Sequence, residues 1–93
     1  MRQVSPHVYI DPDDGGCTVG AIRTSEGVVL VDSPHKPTRA LRWRDEVETL
    51  GEVRYLINTE HHIDHTFGNA FLPGVVLVHQ GVREKFWEDN VLG

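Results

Sequence analysis

Short runs of apolar, β-branched residues, separated by clusters of turn formers, dominate the first third of the chain and predict strands. Residues 7–10 form a brief β-prone stretch that the turn formers DPDDGG bring to an end. Residues 17–23, CTVGAIR, alternate loosely and predict a second strand. Glu26 and Gly27 make a turn before the β-branched run at 28–31. The spacing of these two runs predicts an antiparallel hairpin. Asp32, Ser33 and Pro34 close the third strand, and Pro34 and Pro37 are expected to keep the next stretch out of helix.

The period then changes. Ala40, Trp43, Val47 and Leu50 recur at steps of three and four, with Thr38 as the expected N-cap and Gly51 at the terminating position. Arg42, Arg44, Asp45, Glu46 and Glu48 occupy the other face and read as a solvated surface. Residues 54–58, RYLIN, predict a strand that leads straight into TEHHIDH. Pro73 and Gly74 precede a further strand at 75–78, and residues 80 to about 90 predict a helix with Val82 and Phe86 on one face. The order is thus β, β, β, α, β, motif, β, α. With no repeat, low-complexity tract or linker, residues 1–93 read as a single domain. The histidine-rich segment follows an apolar strand directly, and open α/β sheets place their ligand sites at such strand ends.

Composition narrows the function classes. A chain of 93 residues with 39% hydrophobic and 25% charged residues is ordinary globular material. Domains this small bury a modest share of their surface, so the fold calls for outside support. Fourteen acidic against nine basic residues give a net charge of −5, which leaves no basic surplus for nucleic acid or an anionic membrane. Cys17 is the only cysteine, which excludes an internal disulfide. No apolar run reaches membrane-spanning length, and MRQVSPHVYI lacks the pattern of a secretion signal. A cytoplasmic protein is the expectation.

Glu60, His61, His62, Asp64 and His65 put five metal-competent side chains within six residues. Imidazole nitrogen and carboxylate oxygen are the usual ligands of zinc, iron and manganese. In an extended loop, residues two apart point to one side. Glu60 and His62 can then converge on one ion while Asp64 and His65 reach a second, with Ile63 packed inward. His61 and His65 have the i, i+4 spacing of a helical zinc-protease motif. That motif needs Glu directly after its first His, and His62 stands there instead.

Residues 56–65 followed by TFGN resemble the signature loop of the metallo-β-lactamase superfamily, whose usual motif is His-x-His-x-Asp-His. Upstream, VVLVDSP resembles the strand that ends in an Asp beneath the metal site of that family. The resemblance covers essentially the whole chain. It implies an α/β (α+β) fold, one half of an αββα sandwich, with a mixed β-sheet and helices on one face. Aligned on Asp64 and His65, the motif puts His62 at the second histidine position and Glu60 where the first histidine normally stands. Carried over, the metal ligands are Glu60, His62, Asp64 and His65, and Asp64 is also the catalytic residue that orients or deprotonates the attacking water. The implied cofactor is a divalent metal, zinc first, as one or two ions. Glu60 adds negative charge and a harder oxygen donor, which raises the attraction for iron or manganese. His61, at the variable position, points away from the metals.

The implied reaction is metal-dependent hydrolysis of an ester-like or amide-like bond in a small-molecule substrate. Complete sites in the family also draw a later His, a bridging Asp and a final His from the second half of the fold. The later His and Asp here are His79, at a strand end, and Asp89, and neither has that context. The missing ligands are expected from a complementary second half-chain, a homodimer partner or further sequence. A lone half also leaves an apolar sheet face uncovered. The competing reading is a non-catalytic remnant or interaction module with weak or no metal binding.

Other polar residues keep plainer alternatives. Asp32 is either a strand-end turn residue or a hydrogen-bond partner of a ligand His. His7, His35 and His79 read as structural or solvated, Cys17 as a small core residue, and Trp43, Phe86 and Trp87 as helix-face packing. Gly68 and Asn69 read as shaping the turn after the motif, with Asn69 alternatively facing a substrate.

Overall fold

The structure, a computed structural model, describes residues 1–12, 17–34, 36–59 and 67–78. The helix expected over 80–90, with Phe86 and Trp87, lies outside them, as do His35 and His79. Among the described residues, six strands form one sheet in sequence order: β1 (Arg2–Ser5), β2 (Val8–Asp11), β3 (Val19–Thr24), β4 (Gly27–Val31), β5 (Val53–Asn58) and β6 (Val75–Val78). Strands β1 to β4 are antiparallel, whereas β4, β5 and β6 are parallel. One helix, α1 (Pro37–Glu48), links β4 to β5, and a 3-10 turn, Phe67–Phe71, precedes β6.

The hydrophobic pattern does not predict β1. Its sequence, RQVS, holds one apolar residue and is exposed throughout, so it owes its form to its ladder with β2. The expected hairpin is present as β3 and β4, with Ala21 opposite Leu30 and Ile22 opposite Val29. Its turn sits one residue earlier than the pattern suggests. The Thr24 hydroxyl accepts the Glu26 N–H at 3.2 Å and donates to the Gly27 carbonyl at 2.6 Å. Gly27 itself begins β4 at φ +133°, where an added Cβ would come within 2.7 Å of the Glu52 carbonyl oxygen. Only glycine allows the start of β4 to approach the start of β5 this closely.

The helix starts earlier than expected. Pro37 lies in its first turn and Lys36 is the N-cap, without a side-chain capping bond, while Thr38 sits inside the first turn. Proline suits that position because its missing N–H would have had no intrahelical partner. At the other end Thr49 is the C-cap, and its hydroxyl donates to the Glu46 carbonyl at 2.6 Å. Trp43 and Val47 of α1 pack against Val19, Ala21, Val28, Leu30, Val53 and Leu56 of the sheet, joined by Cys17. Val28 pairs with Val53 and Val29 with Tyr55, which leaves Arg54 as an extra residue in β5. This bulge lets Val53 and Leu56, three apart, both face the helix.

The opposite face of the sheet is apolar too. Cross-strand register sets Val8, Ile22, Val29, Tyr55 and Val75 in one row and Ile10, Gly20, Val31, Ile57 and Leu77 in a second. Val75 is 61% exposed and Leu77 45%. A sheet apolar on both faces belongs in the middle of a layered structure.

Because the N-cap is Lys36, replacing Thr38 by Ala is expected to change stability by less than about 0.5 kcal/mol. A loss near 1 kcal/mol in urea unfolding, typical of a removed N-cap, would return that role to Thr38.

Candidate metal centre

Strand direction brings the chemistry to one edge of the sheet. β2, β4, β5 and β6 all end there, as the pairings Asp11 with Val19, Gly20 with Val31, Val31 with Ile57 and Ile57 with Leu77 require. The segment 60–66 departs from that edge directly after β5. The proposed metal ligands Glu60, His62, Asp64 and His65 lie outside the described residues, as do His61 and Ile63. What the structure describes is the ground on which that segment stands.

Asp32 ends β4 and is buried at 4% exposure. Its N–H donates to the Ile57 carbonyl at 2.7 Å, the last rung between β4 and β5. Its backbone then enters the left-handed region at φ +60°, which costs most side chains about 1–2 kcal/mol and which Asp tolerates better than most. Oδ1 accepts the Thr59 N–H at 2.7 Å and Oδ2 the Thr59 hydroxyl at 2.6 Å. The residue immediately before the motif is thereby fixed at two points by one carboxylate. The expected alternatives for Asp32 are a turn residue and a hydrogen-bond partner of a ligand His; the candidate ligand histidines lie outside the described residues, and the carboxylate is seen to hold Thr59.

A second cluster meets the returning chain. Asn69, in the 3-10 turn, donates from Nδ2 to Asn58 Oδ1 at 2.7 Å, and Asn58 Nδ2 donates to Asn69 Oδ1 at 3.2 Å. The Ser33 hydroxyl donates to the same Asn69 Oδ1 at 2.7 Å. Gly68 and Asn69 thus lie in the turn after the motif, as expected, and the Asn69 side chain is bonded to the strand ends. Close by, the Cys17 thiol contacts the Ser33 carbonyl at 3.7 Å, which makes Cys17 the small buried residue expected.

Sequence patterning missed Arg39 altogether. It is 7% exposed, pairs with the Asp11 carboxylate at 3.3 Å and donates to the carbonyls of Asp11 at 2.6 Å and Cys17 at 3.3 Å. It stitches the end of β2 and the approach to β3 onto the start of α1. Thr59 and Asn58 were also missed. A polar residue two places after the inward-facing Leu56 was the available signal for Asn58. An open groove of about 970 Å³, lined by residues including His7, Arg23, Glu26 and Glu52, lies at the opposite edge, where β4 and β5 begin. It is remote from these strand ends.

The sequence pattern of the metallo-beta-lactamase superfamily matches residues 12–88. The chain belongs to that superfamily. A B3 metallo-beta-lactamase with an active-site glutamic acid is 27% identical, with TM-score 0.74, over 89% of this chain and 34% of its own. The subclass B3 enzyme BJP-1 of Bradyrhizobium japonicum is 32% identical over 73% of this chain and 26% of its own, with TM-score 0.59. FIM-1 from Pseudomonas aeruginosa, in its mono-zinc form, is similar in fold, with TM-score 0.74 at 12% identity over 95% of this chain and 45% of its own. No protein with a curated functional description matches. The chain therefore spans between about a quarter and a half of the length of these enzymes. Its mixed sheet with a helix on one face is half of the metallo-beta-lactamase sandwich.

Superfamily members are generally metal-dependent hydrolases, and the donor types in residues 60–65 suit a divalent ion. Among the described residues, no three His, Cys, Asp or Glu side chains are grouped to hold an ion.

Replacing Asp32 by Asn keeps the size but sets an amide against two donors on Thr59. The expected cost is about 1–3 kcal/mol, read from urea unfolding of the metal-free chain. An unchanged midpoint would show that the carboxylate does not anchor Thr59.

Proposed function

We propose that this chain is the N-terminal half of a metal-dependent hydrolase whose metal centre is completed by other protein. The observation that carries the reading is the double hydrogen bond from Thr59 to Asp32, which fastens the residue directly before the donor run to the end of β4. Glu60 and His62 would hold a first ion, and Asp64 and His65 a second. A bound divalent cation would supply Lewis-acid polarisation of the scissile carbonyl and ease ionisation of water. Asp64 orients the attacking water and accepts its proton at a carboxylate oxygen. Glu60 acts as a ligand in place of the first motif histidine; the B3 enzyme with an active-site glutamic acid supports that assignment. Zinc is the first choice of metal, with iron and manganese favoured more than usual by the carboxylate.

The remaining ligands come from a complementary half, either a second copy of this chain or separate sequence, packed on the two apolar rows opposite α1. Burial of those rows would stabilise the half-fold at the same time as it completes the site. A non-catalytic interaction module with weak or no metal binding is the second reading, favoured by Glu60 standing at the first motif position.

Metal content separates the two. The purified chain is expected to retain zinc, and His62→Ala to lose it. Less than about a tenth of an equivalent in the parent chain would favour the non-catalytic module, because a real site keeps its ion at ordinary protein concentrations. Sedimentation tests the partner: self-association or a complex with a complementary half is expected. A stable, well-folded monomer at micromolar concentration would count against it.

A further inference from the structure

Thr59 and Asn69, which flank segment 60–66 in sequence, are both bonded to the ends of β4 and β5. Asp32 and Ser33 are neighbours at the end of β4, and Asn58 and Thr59 are neighbours at the end of β5. The first residue of each β-strand pair serves a different end of the loop from the second. Asp32 holds Thr59 at the start, whereas Ser33 and Asn58 hold Asn69 after the return.

The return fastening is more than closure of a turn. The 3-10 turn has its own backbone bond, from the Leu72 N–H to the Asn69 carbonyl at 3.2 Å, and needs no side chain to form. The Asn69 side chain does something else: it ties the turn to two strand ends. Each primary amide of the Asn58 pair uses one donor and one acceptor on the other. Asp at either position would set two oxygens face to face, and Leu would strand a buried amide, since Asn58 is 4% exposed. A loop pinned at both ends has fewer conformations to lose when its side chains converge on an ion.

We propose that Asn69 is a positioning residue for the metal: its amide pair with Asn58 fixes where the donor-bearing loop rejoins the sheet, and so sets the affinity of residues 60–65 for a divalent cation. The inference rests on the metal-binding reading of that loop and adds residues outside the motif to it.

The test is a cobalt titration of the full chain, followed by visible absorption, for the parent, Asn69→Ala, Asn58→Ala and the double variant. Leu30→Val serves as a control that loosens the core without removing any of the polar bonds at the strand ends. Asn69→Ala is expected to weaken cobalt binding roughly ten-fold, the lower end for groups that support metal ligands. The double variant is expected to lose less than the two single losses combined, because both changes break the same pair. Ser33→Ala, which removes one donor and keeps the amide pair, should lose less. Leu30→Val should lower the urea midpoint and leave cobalt affinity unchanged. Asn69→Ala binding as tightly as the parent would overturn the inference and leave the metal reading standing. So would an equal loss in Leu30→Val, since affinity would then follow overall stability. A parent chain that binds no cobalt would overturn the metal reading, and the inference with it.

Discussion

The parallel register of β4 against β5 is the constraint from which the candidate centre is built. Val31 pairs with Ile57, and the next backbone bond runs from the Asp32 N–H to the Ile57 carbonyl. That register brings Asp32 and Ser33 beside Asn58 and Thr59 at one strand edge. A one-residue slip of β5 against β4 would turn Leu56 out of the core and carry Thr59 away from Asp32. Packing and site therefore share one determinant. The core fixes the register, and the register fixes which polar side chains meet.

Both faces of the sheet ask for cover. One receives Trp43 and Val47 of α1; the other carries two apolar rows across five strands. Parallel strands with apolar residues on both sides are a feature of layered folds, where a second layer excludes water. Among the described residues, one layer, α1, covers this two-faced sheet.

Much of the framework was legible from the pattern alone. The β3–β4 hairpin, the amphipathic stretch of α1 and the strand leading into the motif follow from β-branched runs and from Ala40, Trp43 and Val47 at helical spacing. The misses have physical causes. β1 is held by backbone pairing, which leaves no hydrophobic trace in RQVS. The start of α1 was misread because proline signals a break in a helix interior but is welcome in a first turn. Arg39 was hidden because a long cationic side chain on a helix is ordinarily solvated. Its burial is made tolerable by the tertiary placement of the Asp11 carboxylate and of the Asp11 and Cys17 carbonyls. The candidate ligands were legible as a donor-rich run. Their supports were less so, because Thr59, Asn58 and Ser33 are common residue types whose meaning comes from what lies opposite.

Those supports say something about how the edge is specified. Asp32, Ser33, Arg39 and Asn58 are the polar side chains buried among the described residues, and all four sit at or beside the edge where β4 and β5 end. Buried polar groups cost stability unless they are bonded, and apolar residues of similar volume would fill the same space with less risk. A sheet needing only to fold would have its strand ends simpler. Concentrating directional bonds at the one edge from which residues 60–66 depart trades general cohesion for fixed geometry there. The left-handed backbone at Asp32 fits the same logic. It spends local conformational energy to aim a carboxylate at Thr59, and the register of β4 and β5 is what holds it in place.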